Sequence, residues 1–367
     1  MNENPFKFGA VVSEAYFTDR ETESTKIRSF LKSKNHLIIS GPRRYGKTSL
    51  IKKILKEIKR PAIYLDLQMC TGMNDMAATL LKKVYQHYPL QKLKSQLQSF
   101  RITPTVTINP LTGAAEVSFS GMSDSFTPLE DVLNLIDSLG KKDKRIILVL
   151  DEFQEIYRID KSLERTLRSV MQQHQNLNYI FLGSKESMIR DIFEKKKSPF
   201  YHFGSLMQLE KIPEKDFMSF LMKNLYGISK DPEKLSQSIL EISNCHPHYT
   251  QQLAFTVWEI LKDSPKTINP VALSIEENIR NHDNDFERLW NTMNSIDRKI
   301  LIGLSQNNSL PPLSTEFVIM NNTGSTSTTF SGLQRLSTEG IILKEKRNYI
   351  IDDPFFKGWI IKRRGMG

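Results

Sequence analysis

The sequence predicts an α/β protein in which a parallel-sheet core with a β-hairpin insertion is followed by an α-helical lid and a C-terminal winged helix. Three observations carry this expectation. Apolar bursts at Leu37–Ser40, Ala62–Asp66, Arg145–Leu150 and Asn178–Leu182 alternate with segments of helical period. A glycine-containing loop, Gly41–Ser49, stands at the first strand-to-helix junction. From Pro213 to about Asp285 the period is helical throughout, broken only at Asp231-Pro232, His246-Pro247 and Asn269-Pro270, where proline suits a first helical turn.

The elements follow in order. After the strand Leu37–Ser40, the segment Ser49–Lys59 places Leu50, Ile51, Ile54, Leu55 and Ile58 on one helical face. The strand Ala62–Asp66 and an amphipathic helix over Met73–Tyr88 complete a βαβα pattern. Thr105–Ile108 and Glu116–Phe119 are β-prone runs around the turn-rich Asn109–Gly113, which predicts a hairpin. Alternation resumes with helix Pro128–Leu139, strand Arg145–Leu150, helix Ser162–His174 and strand Asn178–Leu182. Near the end, helices over Met293–Leu304, Thr315–Met320 and Ser325–Glu339, closed by Gly340, precede two short strands, Ile341–Lys344 and Tyr349–Ile351. Three helices and a hairpin predict a winged helix. The expected domains are a core at 1–210, a lid at 211–285 and the winged helix at 286–367.

Composition narrows the function classes. Hydrophobic residues at 39% and charged residues at 25% describe a folded protein, not a disordered one. The N-terminal segment has no basic stretch leading into an apolar one, and no apolar run is long enough to span a bilayer, so a cytoplasmic protein without membrane contact is expected. Two cysteines far apart, Cys70 and Cys245, exclude a disulfide framework and a four-cysteine zinc site. A net charge of +10 suits a polyanionic partner, but the excess is spread along the chain.

The chemistry concentrates in two motifs. Gly41-Pro42-Arg43-Arg44-Tyr45-Gly46-Lys47-Thr48 fits the phosphate-loop pattern G-x-x-x-x-G-K-[ST] in full. Backbone N–H groups of such a loop curl around phosphate oxygens, and the positive end of the following helix points at them. Lys47 is the candidate for the β/γ-phosphates, and the Thr48 hydroxyl, next to Ser49, for Mg²⁺. The second motif, Arg145–Glu152, is a doubly buried strand ending in two carboxylates, at the edge where open α/β sheets bind ligands. Asp151 is expected to hold the metal through water and Glu152 to orient or deprotonate the attacking water. Together they predict an ATPase using ATP and Mg²⁺.

On these residues the chain resembles the archaeal-type ATPase family of the AAA+ class, related to origin-recognition ATPases and to signal-transduction ATPases that use nucleotide as a switch. The resemblance also runs through Asn4-Pro5-Phe6, Phe17–Glu21, Leu150–Phe153, Gly183-Ser184, His246-Pro247 and Asp353–Phe356. It implies that Phe17 and Arg20 lie near the adenine, although Asp19-Arg20-Glu21 also reads as a charged helix start. It implies that Ser184 senses the γ-phosphate with catalytic effect; an N-cap ahead of Glu186 is the alternative. It implies that the helix start at His246-Pro247 senses the nucleotide, a reading preferred to a metal site because no second cluster supplies further ligands. Asn244-Cys245 stands where that family usually has glycines, and Phe203 where it commonly has an arginine finger. Loss of such a finger can cost about 10³–10⁵ in rate. Slow basal hydrolysis is therefore expected, with Arg43 or Arg44 either substituting in part or holding the loop to the lid.

In the winged helix, Thr326, Ser327, Thr328, Gln334 and Arg335 form the polar face and Phe330, Leu333 and Leu336 the expected buried stripe. Lys346 and Arg347 in the wing, with Lys362–Arg364, add positive charge. Thr326, Thr328, Gln334, Arg335, Lys346 and Arg347 are the candidates for contacts to double-stranded DNA; a protein partner or self-association is the alternative. The Asp352-Asp353 pair is too isolated for a metal-dependent cleavage site. Mg·ATP binding is expected to draw lid and winged helix against the core, and hydrolysis to release them.

Overall fold

A computed structural model describes residues 3–10, 16–88, 90–108, 115–119, 125–306, 310–345 and 348–365. The chain divides into two compact units. Arg20–Arg43 and Lys47–Glu210 form a sheet unit; Met1–Asp19, Arg44–Gly46 and Lys211–Gly367 form a helical unit.

In the sheet unit, α1 (Glu21–Lys32) leads to β1 (Leu37–Ser40), α2 (Lys47–Glu57) and β2 (Ala62–Asp66). Next come α3 (Met73–His87), α4 (Leu90–Leu97), β3 (Thr105–Ile108), β4 (Ala115–Ser118) and α5 (Thr127–Leu139). The unit closes with β5 (Ile146–Asp151), α6 (Ile156–Ile159), α7 (Leu163–Met171), β6 (Leu177–Gly183), α8 (Glu186–Glu194) and β7 (Ser205–Gln208). Five strands form one parallel sheet in the order β2-β5-β6-β1-β7. Every residue of β1, β5 and β6 is buried, which is why these strands read as continuous apolar runs and not as alternation. The edge strand β2 does alternate.

The expected α/β architecture is present, with the hairpin β3–β4 pairing antiparallel from Thr105↔Ser118 to Ile108↔Ala115. Its expected turn, Asn109–Gly113, lies outside the described residues. The structure adds α8 and β7, which the pattern did not predict. Ser205–Gln208 is a four-residue edge strand with three half-buried residues and one exposed, too weak a signal to stand out.

The helical unit runs through α9 (Glu214–Leu225), α10 (Pro232–Ser243), α11 (Pro247–Asp263), α12 (Pro270–Asn281) and α13 (Asp283–Thr292). The winged helix follows as α14 (Ser295–Gln306), α15 (Thr315–Met320), α16 (Thr326–Thr338), β8 (Ile342–Glu345) and β9 (Asn348–Ile351), and α17 (Pro354–Arg364) ends the unit. Helices α10, α11, α12 and α17 share one start: proline at the first helical position behind a side-chain cap from Asp231, His246, Asn269 and Asp353 respectively. Proline sacrifices no hydrogen bond there, and the cap accepts from N–H groups that the helix leaves unpaired.

The winged helix corrects one expectation. Phe330 is 44% exposed, whereas Leu333 and Leu336 are fully buried. The buried face of α16 is instead Thr329, Gly332, Leu333 and Leu336. Gly332 sets it: a Cβ there would stand 2.5 Å from Ile300 Cδ1, so α14 packs directly on the glycine and turns Phe330 outward.

Helix α17, also unforeseen, carries Trp359 into the core, where its Nε1 donates to Asp283 Oδ1 at 2.7 Å and its ring lies 5.9 Å from those of Phe356 and Trp290. Trp359→Ala should cost about 3–5 kcal/mol. Because Trp258, Trp290 and Trp359 all lie in the helical unit, urea unfolding followed by tryptophan fluorescence should show the lowered midpoint there.

Candidate nucleotide site

Strands β5, β6 and β1 lie side by side, with Ser40 paired to Gly183 and Leu150 to Phe181. Their carboxyl ends therefore deliver Gly41, Ser184 and Asp151 to one edge. Gly41 N–H donates to Gly183 O at 3.3 Å, and a Cβ on Gly41 would fall 2.6 Å from Leu209 O. The first loop glycine is thus required by the neighbouring backbone. Gly46, with φ +88°, makes the turn into α2, which opens at Lys47 as the phosphate-loop pattern requires.

Lys47 is buried and folded back on its own loop, its Nζ donating to Gly41 O at 2.6 Å and Pro42 O at 2.7 Å. Burial lowers its pKa, opposed by the charges of Glu152 and Asp151. Thr48 Oγ1 donates to Asp151 Oδ2 at 2.9 Å, and Asp151 Oδ1 accepts from Glu152 N at 2.9 Å. A hydroxyl and a carboxylate oxygen, both hard donors, fit Mg²⁺, which prefers one or two carboxylates and keeps positions for phosphate and water. Among the described residues no group of three His, Cys, Asp or Glu side chains forms a separate metal cluster.

Glu152 follows β5 in the left-handed region, φ 52°. That backbone turn, unusual for glutamate, aims the carboxylate across β6. Its Oε2 accepts from Ser184 Oγ at 2.6 Å, Ser184 N at 3.1 Å and Gln154 Nε2 at 2.6 Å. Burial would raise its pKa, but the bonds from Ser184 and Gln154 and the charge of Lys47 outweigh it and hold the carboxyl below its ordinary value. Ser184 precedes α8 but does not cap it; Lys185 occupies the N-cap position. Two site residues escaped the sequence reading. Gln154 gave no signal beyond its place two residues after Glu152. Tyr64, the lone aromatic in β2, reaches with its phenol to Asp151 Oδ2. Burial, then the charge of Asp151, keeps that phenol protonated.

In the helical unit, the loop tip Arg44–Gly46 meets the start of α11. The Tyr45 ring lies 4.9 Å from that of His246, and Arg44 Nη1 donates to Tyr249 Oη at 2.8 Å. His246 is buried and accepts from His248 N and Tyr249 N through Nδ1, which places its proton on Nε2. Nε2 faces Asp352 Oδ1 at 3.5 Å. Burial, with smaller contributions from His248, Lys211 and Arg44, pushes His246 well below its ordinary pKa. Asn244 and Cys245 have φ 49° and 54°, so the backbone here takes the glycine-like path without glycine. Phe17 is half-buried in the helical unit. Arg20 is buried in the sheet unit, bonded to Glu23 at 2.7 Å and to Glu210 O at 2.6 Å.

Phe203 packs with Phe181, Phe200 and His36, and the Arg168 guanidinium sits 4.5 Å above its ring. Phe203 is thus held within an aromatic cluster. In the winged helix Thr326, Thr328 and Gln334 are exposed, whereas Arg335 donates to Asp297 at 2.7 Å. Lys346 and Arg347 lie outside the described residues. The terminal cations are paired: Lys362 with Glu276, Arg363 with Asp283 and Arg364 with Glu287.

A phosphate loop and an acidic strand end on a parallel sheet, followed by helices and a winged helix, define a P-loop ATPase of the AAA+ class. Residues 17–253 match the family model of an ATPase domain predominantly from Archaea, and residues 284–362 that of a probable winged helix domain. The chain belongs to this ATPase family, and membership implies ATP binding. No curated protein matches the chain significantly. Among solved structures it is similar to the Walker-type ATPase PABY2304 of Pyrococcus abyssi, with a TM-score of 0.67 at 19% identity over 94% of this chain and 96% of that one. It is also similar to the Aeropyrum pernix ORC2 protein in its ADP form, TM-score 0.52 at 13% identity over 95% and 94%. The Aeropyrum pernix ORC1 protein in complex with DNA gives 0.50 at 12% identity over 95% and 93%. At these identities the likeness is one of fold. Among the described residues no helix is long and apolar enough to cross a membrane.

Asp352 supplies a pH test. Burial, then the charge of Asp353, raises its pKa from 3.8 to about 7 against the opposing Arg44 and Lys211. The fold therefore favours its neutral form: this contribution to stability is complete below pH 3.8 and is lost as pH rises to about 7. Asp352→Asn should flatten the fall in melting temperature between pH 5 and pH 8 by about 2 °C or more; scanning calorimetry of both proteins checks it.

Proposed function

We propose that the chain is an ATP-binding, slowly hydrolysing switch whose nucleotide state is passed to the lid and winged helix. The observation that carries this is the loop tip: Arg44 and Tyr45, inside the phosphate loop, rest on Tyr249 and His246 at the start of α11. A change at the phosphates moves the same loop that α11 holds. Phe17 and Arg20 are proposed near the adenine, and His246-Pro247 as the helix start that responds to the nucleotide.

Thr48 and Asp151 would hold Mg²⁺, which when bound supplies charge neutralisation on the phosphate oxygens. Lys47 exchanges its carbonyl partners, Gly41 and Pro42, for β/γ-phosphate oxygens. Glu152 orients or deprotonates the attacking water, and Ser184 sits beside it to sense the γ-phosphate. Slow turnover has two supports. Three donors on Glu152 Oε2 make it a weak base, and Phe203 offers no cation to a transition state.

The output is proposed to be a protein contact through the winged helix, since Arg335 and Lys362–Arg364 are already ion-paired while Ile319 and Phe330 are exposed. Duplex DNA is the second reading, favoured by the net charge of +10 and the exposed Thr326, Thr328 and Gln334.

Glu152→Gln should reduce phosphate release by at least about 10²-fold while leaving nucleotide binding intact. Equal rates in the two proteins would remove Glu152 from the chemistry. Fluorescence anisotropy with labelled duplex DNA and ATP, from about 50 to about 200 mM salt, should show no steeply salt-dependent binding. A steep slope would establish the DNA reading in place of the protein one.

A further inference from the structure

We propose that Tyr64 is a positioning residue, a latch that occupies the metal-facing oxygen of Asp151 and must let go before a divalent cation settles. The inference rests on the Mg·ATP reading above and assigns a role to a residue outside the phosphate loop and outside the acidic pair.

Asp151 Oδ1 is committed to Glu152 N. Oδ2 accepts from Thr48 Oγ1 at 2.9 Å and from the Tyr64 phenol, which also lies 3.5 Å from Thr48 Oγ1. A carboxylate oxygen offers two in-plane lone pairs, so these two hydroxyls fill Oδ2. When Thr48 turns its oxygen to a cation, its proton can still point to Asp151. A metal-bound water, by contrast, needs a lone pair of its own on Oδ2, and Tyr64 holds it. The phenol is well placed to do so repeatedly. It stands on the edge strand β2, half-buried, in register with Val149, and Lys52 Nζ lies 5.1 Å from its ring centroid. The ring is therefore anchored independently of the hydroxyl. The latch keeps Thr48 and Asp151 in mutual contact without a cation and makes the site demand metal and nucleotide together.

The test is Tyr64→Phe, which deletes one oxygen and retains the ring. Binding of a fluorescent ATP analogue is measured in EDTA and across a Mg²⁺ titration, and Mn²⁺ binding is followed by electron paramagnetic resonance with ATP present. Nucleotide affinity in EDTA should match wild type, while half-saturating Mg²⁺ and Mn²⁺ should fall about fivefold, the fold-change one ordinary net hydrogen bond corresponds to. Tyr64→Leu should show the same tightening with a lower melting temperature. Unchanged or weakened metal binding in Tyr64→Phe overturns the latch, as does tightening seen only in Tyr64→Leu, which would assign the effect to the ring. If wild type itself shows no metal-dependent gain in nucleotide binding, the Mg·ATP reading fails, and the latch with it.

Discussion

The parallel pairing of three fully buried strands is the constraint on which the site depends. Because β1, β6 and β5 pair in parallel at Ser40↔Gly183 and Leu150↔Phe181, a one-residue shift of any one strand would carry Ser40, Gly183 or Asp151 out of line with its neighbours. That register places a loop, a hydroxyl and a carboxylate pair within hydrogen-bond reach. The tight places follow from it: Gly41 has no room for a Cβ beside Leu209, and Gly183 none beside Ile189.

Most of the charged and polar groups of the site pair with one another. Lys47 donates to loop carbonyls, Thr48 and Tyr64 to Asp151, and Ser184 and Gln154 to Glu152. On the proposed reading, phosphate oxygens compete first for the Lys47 ammonium, now held by the loop carbonyls of Gly41 and Pro42. Each bond to a charged group is worth roughly 1.5–3 kcal/mol, so a ligand that breaks one has to return a contact of similar strength.

The sheet, the phosphate loop, the acidic pair and the winged helix were legible in the sequence because each has a local signature: a buried run, a glycine spacing, a proline behind a cap. Tyr64 and Gln154 were not, since their relevance arises only when β2 and β5 lie side by side or when the chain turns at Glu152. Phe330 was misplaced because a helical period marks an apolar residue but not which neighbour will press on the face; Gly332, a residue without a side chain, decided that. Helix α17 was hidden by its mixture of Phe355, Phe356, Trp359 and Ile360 with lysines and arginines, whose charges are satisfied by Glu276, Asp283 and Glu287 from distant parts of the chain.

The left-handed backbone at Glu152 sets backbone strain against side-chain bonding at a single residue. Glycine or asparagine would adopt φ 52° with less strain, but either would forfeit the three hydrogen bonds on Oε2 that outweigh the carboxylate's burial. Backbone comfort and side-chain bonding therefore pull in opposite directions at position 152, and a replacement that suits the left-handed turn leaves Ser184 and Gln154 without their shared acceptor.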